Sequence, residues 1–166
     1  AKNTRTKRYR KNVDEAYDNL DQIVMFINDH ENLKNLSSEI KKLKYNLDNK
    51  DYENSILVID NLFEKLGEIS GTDEFANKLD DLITVIDNDE VDEQKLISAS
   101  SETFNLFEKE VSWREDADKN LLPELMKYNE IIKNNIGLSL QSRLTKDQAM
   151  FVARCNSVHR DISLNF

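Results

Sequence analysis

Apolar residues in this chain recur at alternating spacings of three and four positions. The pattern is clearest in one stretch, which reads Leu33, Leu36, Ile40, Leu43 and Leu47. Such spacing puts the apolar residues on one face of an α-helix, as a stripe nearly parallel to the helix axis. Helices with stripes of this kind pack at about 20° to one another. This feature predicts a helical bundle.

Seven segments of the chain carry the alternation, and the spacing loses its phase between them. Helical hairpins folded back on one another therefore account for the pattern better than one uninterrupted coiled coil. The sequence predicts an all-α fold, an antiparallel helical bundle of six or seven helices with heptad-like 3-4 stripes. The fifth stripe, which contains one polar residue, is predicted as Ile97, Ser100, Phe104, Phe107 and Val111.

The length of 166 residues fits one domain, which we place at residues 13–166. If the domain is subdivided, the acidic segment 87–93 is the expected position. Gly71 is predicted to end one helix in a left-handed conformation, and Thr72 to cap the next. Pro123 is predicted to stand in the first turn of a helix that starts anew after Asp118 or Asn120, and the alternative is a kink in a longer helix begun near Glu93.

Positive charge is concentrated at the start of the chain. Residues 1–12 carry six positive charges and no negative one. The net charge of −9 for the whole chain therefore leaves −15 for residues 13–166. We predict that residues 1–12 form a disordered basic arm, with contact to an anionic membrane or to nucleic acid as the alternative to a merely solvated segment. The charged residues of the arm are Lys2, Arg5, Lys7, Arg8, Arg10 and Lys11.

Cys155 and His159 are the residues that most resemble a chemical site. They stand four positions apart, one turn of a helix, but Cys155 also falls on the last apolar stripe. Structural zinc usually takes four Cys or His ligands, and His30 is the only other residue of either type. Cys155 is therefore predicted to be a core residue. No catalytic residue, no cofactor and no metal ligand is predicted.

Trp113 and Arg114 follow the fifth stripe. Trp and Arg are enriched at the energetic centres of protein interfaces, so both are candidate contacts with a partner. The alternative for Trp113 is closure of the core.

These observations favour a non-enzymatic protein–protein interaction module, such as an adaptor, a scaffold component or a subunit of a larger assembly. A first alternative is the signalling bundle of a membrane-associated protein, with residues 2–11 flanking a membrane segment. A second is an acidic decoy that occupies a basic nucleic-acid-binding groove. The expected partner is another protein, with membrane or nucleic-acid contact limited to the basic arm. A single cysteine is compatible with a reducing compartment such as the cytoplasm.

Overall fold

The computed structural model describes residues 2–139 and 146–165, and the side chains of residues 10–133 and 146–164. Every regular element in these ranges is helical, which confirms the predicted all-α class. Seven helices of twelve or more residues correspond to the seven apolar stripes, and one short helix, α2, adds to them. The helices are α1 (Lys2–Asn28), α2 (His30–Lys34), α3 (Ser37–Asp48), α4 (Tyr52–Leu66), α5 (Asp73–Ile86), α6 (Glu93–Asp116), α7 (Leu122–Ser139) and α8 (Lys146–Asn165).

The part of the chain that the structure describes divides into two compact units. Unit 1 comprises residues 1–27 and 116–165, and unit 2 comprises residues 28–115. The acidic segment 87–93 is not the boundary, because α5 and α6 on either side of it share the core of unit 2. Asp92 in that segment caps α6, since its carboxylate accepts the backbone N–H of Gln94 at 3.0 Å.

Unit 2 is built from α2 to α6 around one continuous apolar core. α3 packs against α4, and α4 against α5. Both pairs are joined by short turns and are therefore antiparallel. The core consists of Leu33, Leu36, Ile40, Leu43, Leu47, Ile59, Leu62, Leu66, Ile69, Phe75, Leu79, Leu82, Ile86 and Phe107.

The turn between α4 and α5 follows the predicted conformation in part. Gly71 adopts a left-handed conformation with φ of 71°, where a side chain would be strained. Thr72 stands at the N-cap position of α5, but its hydroxyl donates to the carbonyl of Leu66 at 3.0 Å and does not cap the helix. Thr72 therefore ties the turn back to the end of α4.

Unit 1 contains α1, α7 and α8. The ring of Tyr17 in α1 lies 5.2 Å from the ring of Phe151 in α8, and Asn19 donates to Asn156 at 2.8 Å. α7 packs against α8. The buried apolar residues of this unit are Ala16, Leu20, Ile23, Phe26, Ile27, Ala117, Leu125, Ile132, Phe151, Cys155 and Val158.

Two helix boundaries differ from the prediction. α1 begins at Lys2, so the backbone of the basic segment is described as helical, whereas the sequence predicted a disordered arm. A π-helical turn, Ala117–Leu121, joins α6 to α7 without a non-helical break, so α7 does not start afresh, although Pro123 does stand in its first turn as predicted. Leu122 donates its N–H to the carbonyl of Ala117, five residues earlier. Proline lacks an N–H and crowds the carbonyl four residues back, and a π-helical turn is one way for a helix to adjust.

The buried stripe of α6 is displaced from the predicted one. Ile97 is 63% exposed, and Phe104 and Val111 are only half-buried. The apolar spacing predicted the wrong face of α6 because two residues on its buried face are charged, and charged residues rarely lie inside a protein. The buried residues of α6 are Thr103, Phe107, Glu110 and Arg114.

Among the helices that the structure describes, none combines the length and the apolar character needed to cross a membrane.

Candidate interaction groove

A groove of about 310 Å³ lies between α3 and α6 in unit 2. Its floor is apolar, formed by Ile40 of α3 and by Phe104, Phe107 and Val111 of α6. Ile40 and Phe107 belong to the buried core, whereas Phe104 and Val111 are half-buried at its edge. The groove exists because the buried stripe of α6 is displaced, which leaves these two side chains facing the space beside α3.

The two rims of the groove carry opposite charges. Lys34, Lys41 and Lys44 line the side of α2 and α3, and Glu108 and Glu115 line the side of α6. Serine residues complete the lining on both sides, as Ser37 and Ser112. The groove thus combines an apolar floor with a basic rim and an acidic rim.

Contacts across the groove fix its two ends. Lys34 Nζ lies 2.9 Å from a carboxylate oxygen of Glu115, and Lys44 Nζ lies 4.9 Å from the centroid of the Phe104 ring. The hydrogen bond to Glu115 raises the pKa of the Lys34 ammonium above its ordinary value. Segment 34–44 therefore runs in the opposite direction to segment 104–115.

The charged rim residues between these two ends are accessible to a partner. Lys41 and Glu108 are both exposed, on opposite sides of the floor. Phe104 and Val111 are seven residues apart, which corresponds to about 10 Å along a helix axis. The accessible floor therefore spans two helical turns.

Behind the groove, α6 buries two charged side chains in the core of unit 2. Glu110 and Arg114 are both 0% exposed. Arg114 donates from Nη2 to the carbonyl of Ser70 at 2.8 Å, and the N–H of Ser70 donates to Asp29 at 2.8 Å. Arg114 thereby holds the turn between α4 and α5 against α6.

Burial dominates the electrostatics of this pair. It raises the pKa of the Glu110 carboxyl to about 7, a shift that Arg114 opposes and Glu74 of α5 adds to. Among the described residues, neither carboxylate oxygen of Glu110 has a hydrogen-bond partner. Burial also lowers the pKa of the Arg114 guanidinium, although the charges of Glu110 and Asp29 oppose that shift.

Trp113 and Arg114, the two predicted partner contacts, differ in burial. Arg114 points inward and is inaccessible, so the expectation that it contacts a partner is not met by this structure. Trp113 is half-buried and is not part of the groove lining. The sequence could not identify Lys34, Lys41, Lys44 and Glu108 as groove residues. Isolated charges on helix surfaces form no recognisable pattern until two helices lie side by side.

The predicted basic contacts lie in α1. Arg10 and Lys11 are exposed. Lys2, Arg5, Lys7 and Arg8 lie on the helical backbone of the same segment, and their side chains fall outside the described ones. The basic segment belongs to unit 1 and the groove to unit 2, so they are distinct candidate surfaces.

Cys155 and His159 have different surroundings in unit 1. Cys155 is 0% exposed, and burial raises the pKa of its thiol to about 11. His159 Nε2 lies 2.7 Å from the side-chain oxygen of Gln22 in α1. A thiol that remains protonated at neutral pH is a poor nucleophile and a poor metal ligand.

We expect Cys155 to react slowly with a disulfide reagent in the native protein. Because burial shields the sulfur and raises the pKa of the thiol from 9.0 to about 11, which lowers the thiolate fraction, the rate at pH 8 should be at least about tenfold lower than in guanidinium chloride. Stopped-flow absorbance measures both rates. Equal rates in the two conditions would contradict the buried position of the thiol.

The described part of the chain contains no group of three or more His, Cys, Asp and Glu residues placed to hold a metal ion. A comparison of the chain with protein-family models, with curated proteins and with solved structures finds no match. The groove between α3 and α6 is the candidate functional site.

Proposed function

We propose that this protein is a non-enzymatic protein–protein interaction module that binds its partner through the groove between α3 and α6. The observation that carries the proposal is the half-buried floor formed by Phe104 and Val111. Apolar side chains left open between two helices gain free energy when a partner covers them, at roughly 25 cal/mol for each Å² removed from water. The charged rims would give such a contact its specificity.

Site-specific photo-cross-linking in the native source tests the proposal. A benzophenone amino acid at position 111 places the reactive group on the groove floor, and the same amino acid at position 61 serves as the control. Asn61 lies in a separate, more polar depression between α3 and α4. We expect one cross-linked partner from position 111 and none from position 61. Equal products from both positions, or none from position 111, would argue against the groove.

The basic segment of α1 is a second candidate surface, and its exposed Arg10 and Lys11 favour contact with an anion. Each Lys or Arg near an anionic bilayer contributes roughly 1 kcal/mol, and phosphate contacts weaken as salt rises. We expect deletion of residues 1–12 to abolish binding to anionic vesicles or to nucleic acid. The helical fold should persist, because the described buried face of α1 begins at Ala16.

Vesicle co-sedimentation and gel shift, each at low and moderate salt, measure this effect, and circular dichroism checks the fold. If the intact chain binds neither vesicles nor nucleic acid at low salt, the segment is only solvated.

A further inference from the structure

We infer that the occupant of the groove is an amphipathic helix with acidic side chains along one edge and basic side chains along the other. This inference rests on the proposed function and names the chemistry of the partner. It follows from three features of the groove: the type of surface it offers, the length of its apolar floor, and the charges of its rims.

The type of surface excludes two other kinds of occupant. An added β-strand needs an open sheet edge, and the described residues contain no strand. A second copy that presents the same groove offers a concave surface to a concave surface, which leaves both floors uncovered. A convex element is required, and a helix laid between two helices is the common solution.

The length of the floor sets the apolar positions of the occupant. Phe104 and Val111 lie two turns apart on α6, and Ile40 faces them from α3. A helix that covers this floor presents apolar side chains at positions i, i+3 or i+4, and i+7. Its polar edges then face the two rims.

The rims set the charges of those edges. Lys41 faces one edge and Glu108 faces the other, whereas Glu115 is already paired with Lys34 and Lys44 lies over the Phe104 ring. A helix with one acidic and one basic edge is attracted to both rims, because its acidic edge faces Lys41 and its basic edge faces Glu108. A helix with two acidic edges meets Glu108 with repulsion, and one with two basic edges meets Lys41 with repulsion.

Three synthetic helical peptides test the inference. They share the same apolar positions and differ only in their edges, which are acidic and basic, both acidic, or both basic. Fluorescence anisotropy with labelled peptides measures the dissociation constant for the full chain. We expect the mixed peptide to bind about fivefold more tightly than the other two, a ratio typical of one exposed charge pair. This preference should shrink as salt rises.

Charge reversal at the rims should move the preference in opposite directions. Lys41→Glu should favour the peptide with two basic edges, and Glu108→Lys should favour the peptide with two acidic edges. The combined variant Lys41→Glu/Glu108→Lys is the matched control. It restores opposite rims, and a mixed helix can dock in the reverse direction, so it should again prefer the mixed peptide. Both residues are exposed, so these variants should keep the native fold, which circular dichroism verifies.

Two results would overturn the inference, and they differ in what they imply for the proposed function. If all three peptides bind equally to the wild type and to both single variants, the rims do not select the partner, although the groove still binds helices. If no peptide binds while cross-linking from position 111 captures a partner, the groove has an occupant of another shape.

Discussion

Substituting Glu110 by Gln is expected to raise the free energy of unfolding by about 3 kcal/mol at pH 8 and to leave it unchanged at pH 3. Glu110 is fully buried, and its carboxylate oxygens have no hydrogen-bond partner in the part of the chain that the structure describes. Its pKa is raised from 4.5 to about 7, mainly by burial. A difference of one pKa unit corresponds to about 1.4 kcal/mol between the two protonation states.

The sign of the effect follows from proton linkage. The folded state binds the proton of Glu110 more tightly than the unfolded state does, so this group favours folding below pH 4.5. The advantage declines as the pH rises through 4.5 and is lost above about 7, where the carboxylate must be ionised inside the core. Gln cannot ionise, so the variant loses this part of the pH dependence.

Urea denaturation of both proteins at several pH values measures the effect. Glu108→Gln is the matched control, because Glu108 is exposed on the same helix and its substitution should change stability by less than about 0.5 kcal/mol. Equal pH dependence in the wild type and in Glu110→Gln would mean that Glu110 is solvated.

Truncating Phe107 to Ala is expected to lower the free energy of unfolding by about 3–5 kcal/mol. Phe107 is 5% exposed, and the centroid of its ring lies 5.5 Å from that of Phe75 in α5. The substitution leaves a cavity between α5 and α6 and removes this aromatic pair.

Phe104→Ala is the comparison on the same helix. Phe104 is half-buried in the groove, so its truncation should lower stability by only about 1–2 kcal/mol. The sequence placed both residues on the fifth apolar stripe, and the structure buries Phe107 more deeply than Phe104. Equal losses at the two positions would indicate that α6 is rotated relative to the described packing.

Much of the fold could be predicted because the apolar stripes are regular. Leu36, Ile40 and Leu43 are buried as the 3-4 spacing predicts, and most of the seven stripes lie on one helix each, although the second begins in α2. The spacing of apolar residues reports directly on burial as long as the buried face is apolar. Stripe position was therefore predictable for most helices.

The prediction of α6 failed for a physical reason. Its buried face includes Glu110 and Arg114, whose side chains are normally exposed, so the apolar residues nearby pointed to the wrong face. The Ser70 carbonyl that accepts from Arg114 is 44 positions away in sequence, and no local pattern could reveal that contact. The displacement of the buried face of α6 also creates the groove, so the sequence could not predict the candidate site.

The charge pattern of the groove was equally hidden. Lys41 and Glu108 are 67 positions apart in the printed sequence and form opposite rims only because α3 and α6 lie side by side. The basic segment and Trp113 were visible in the sequence because they are local features, and their contacts with partners stay predictions.

Nuclear magnetic resonance titration with the mixed-edge peptide tests most directly whether the groove between α3 and α6 is the binding surface. We expect saturable shifts in the signals of Ile40, Phe104 and Val111, and unchanged signals for Asn54 and Asn61 in the depression between α3 and α4. Shifts confined to Asn54 and Asn61, or no saturable shift at any groove residue, would contradict the account.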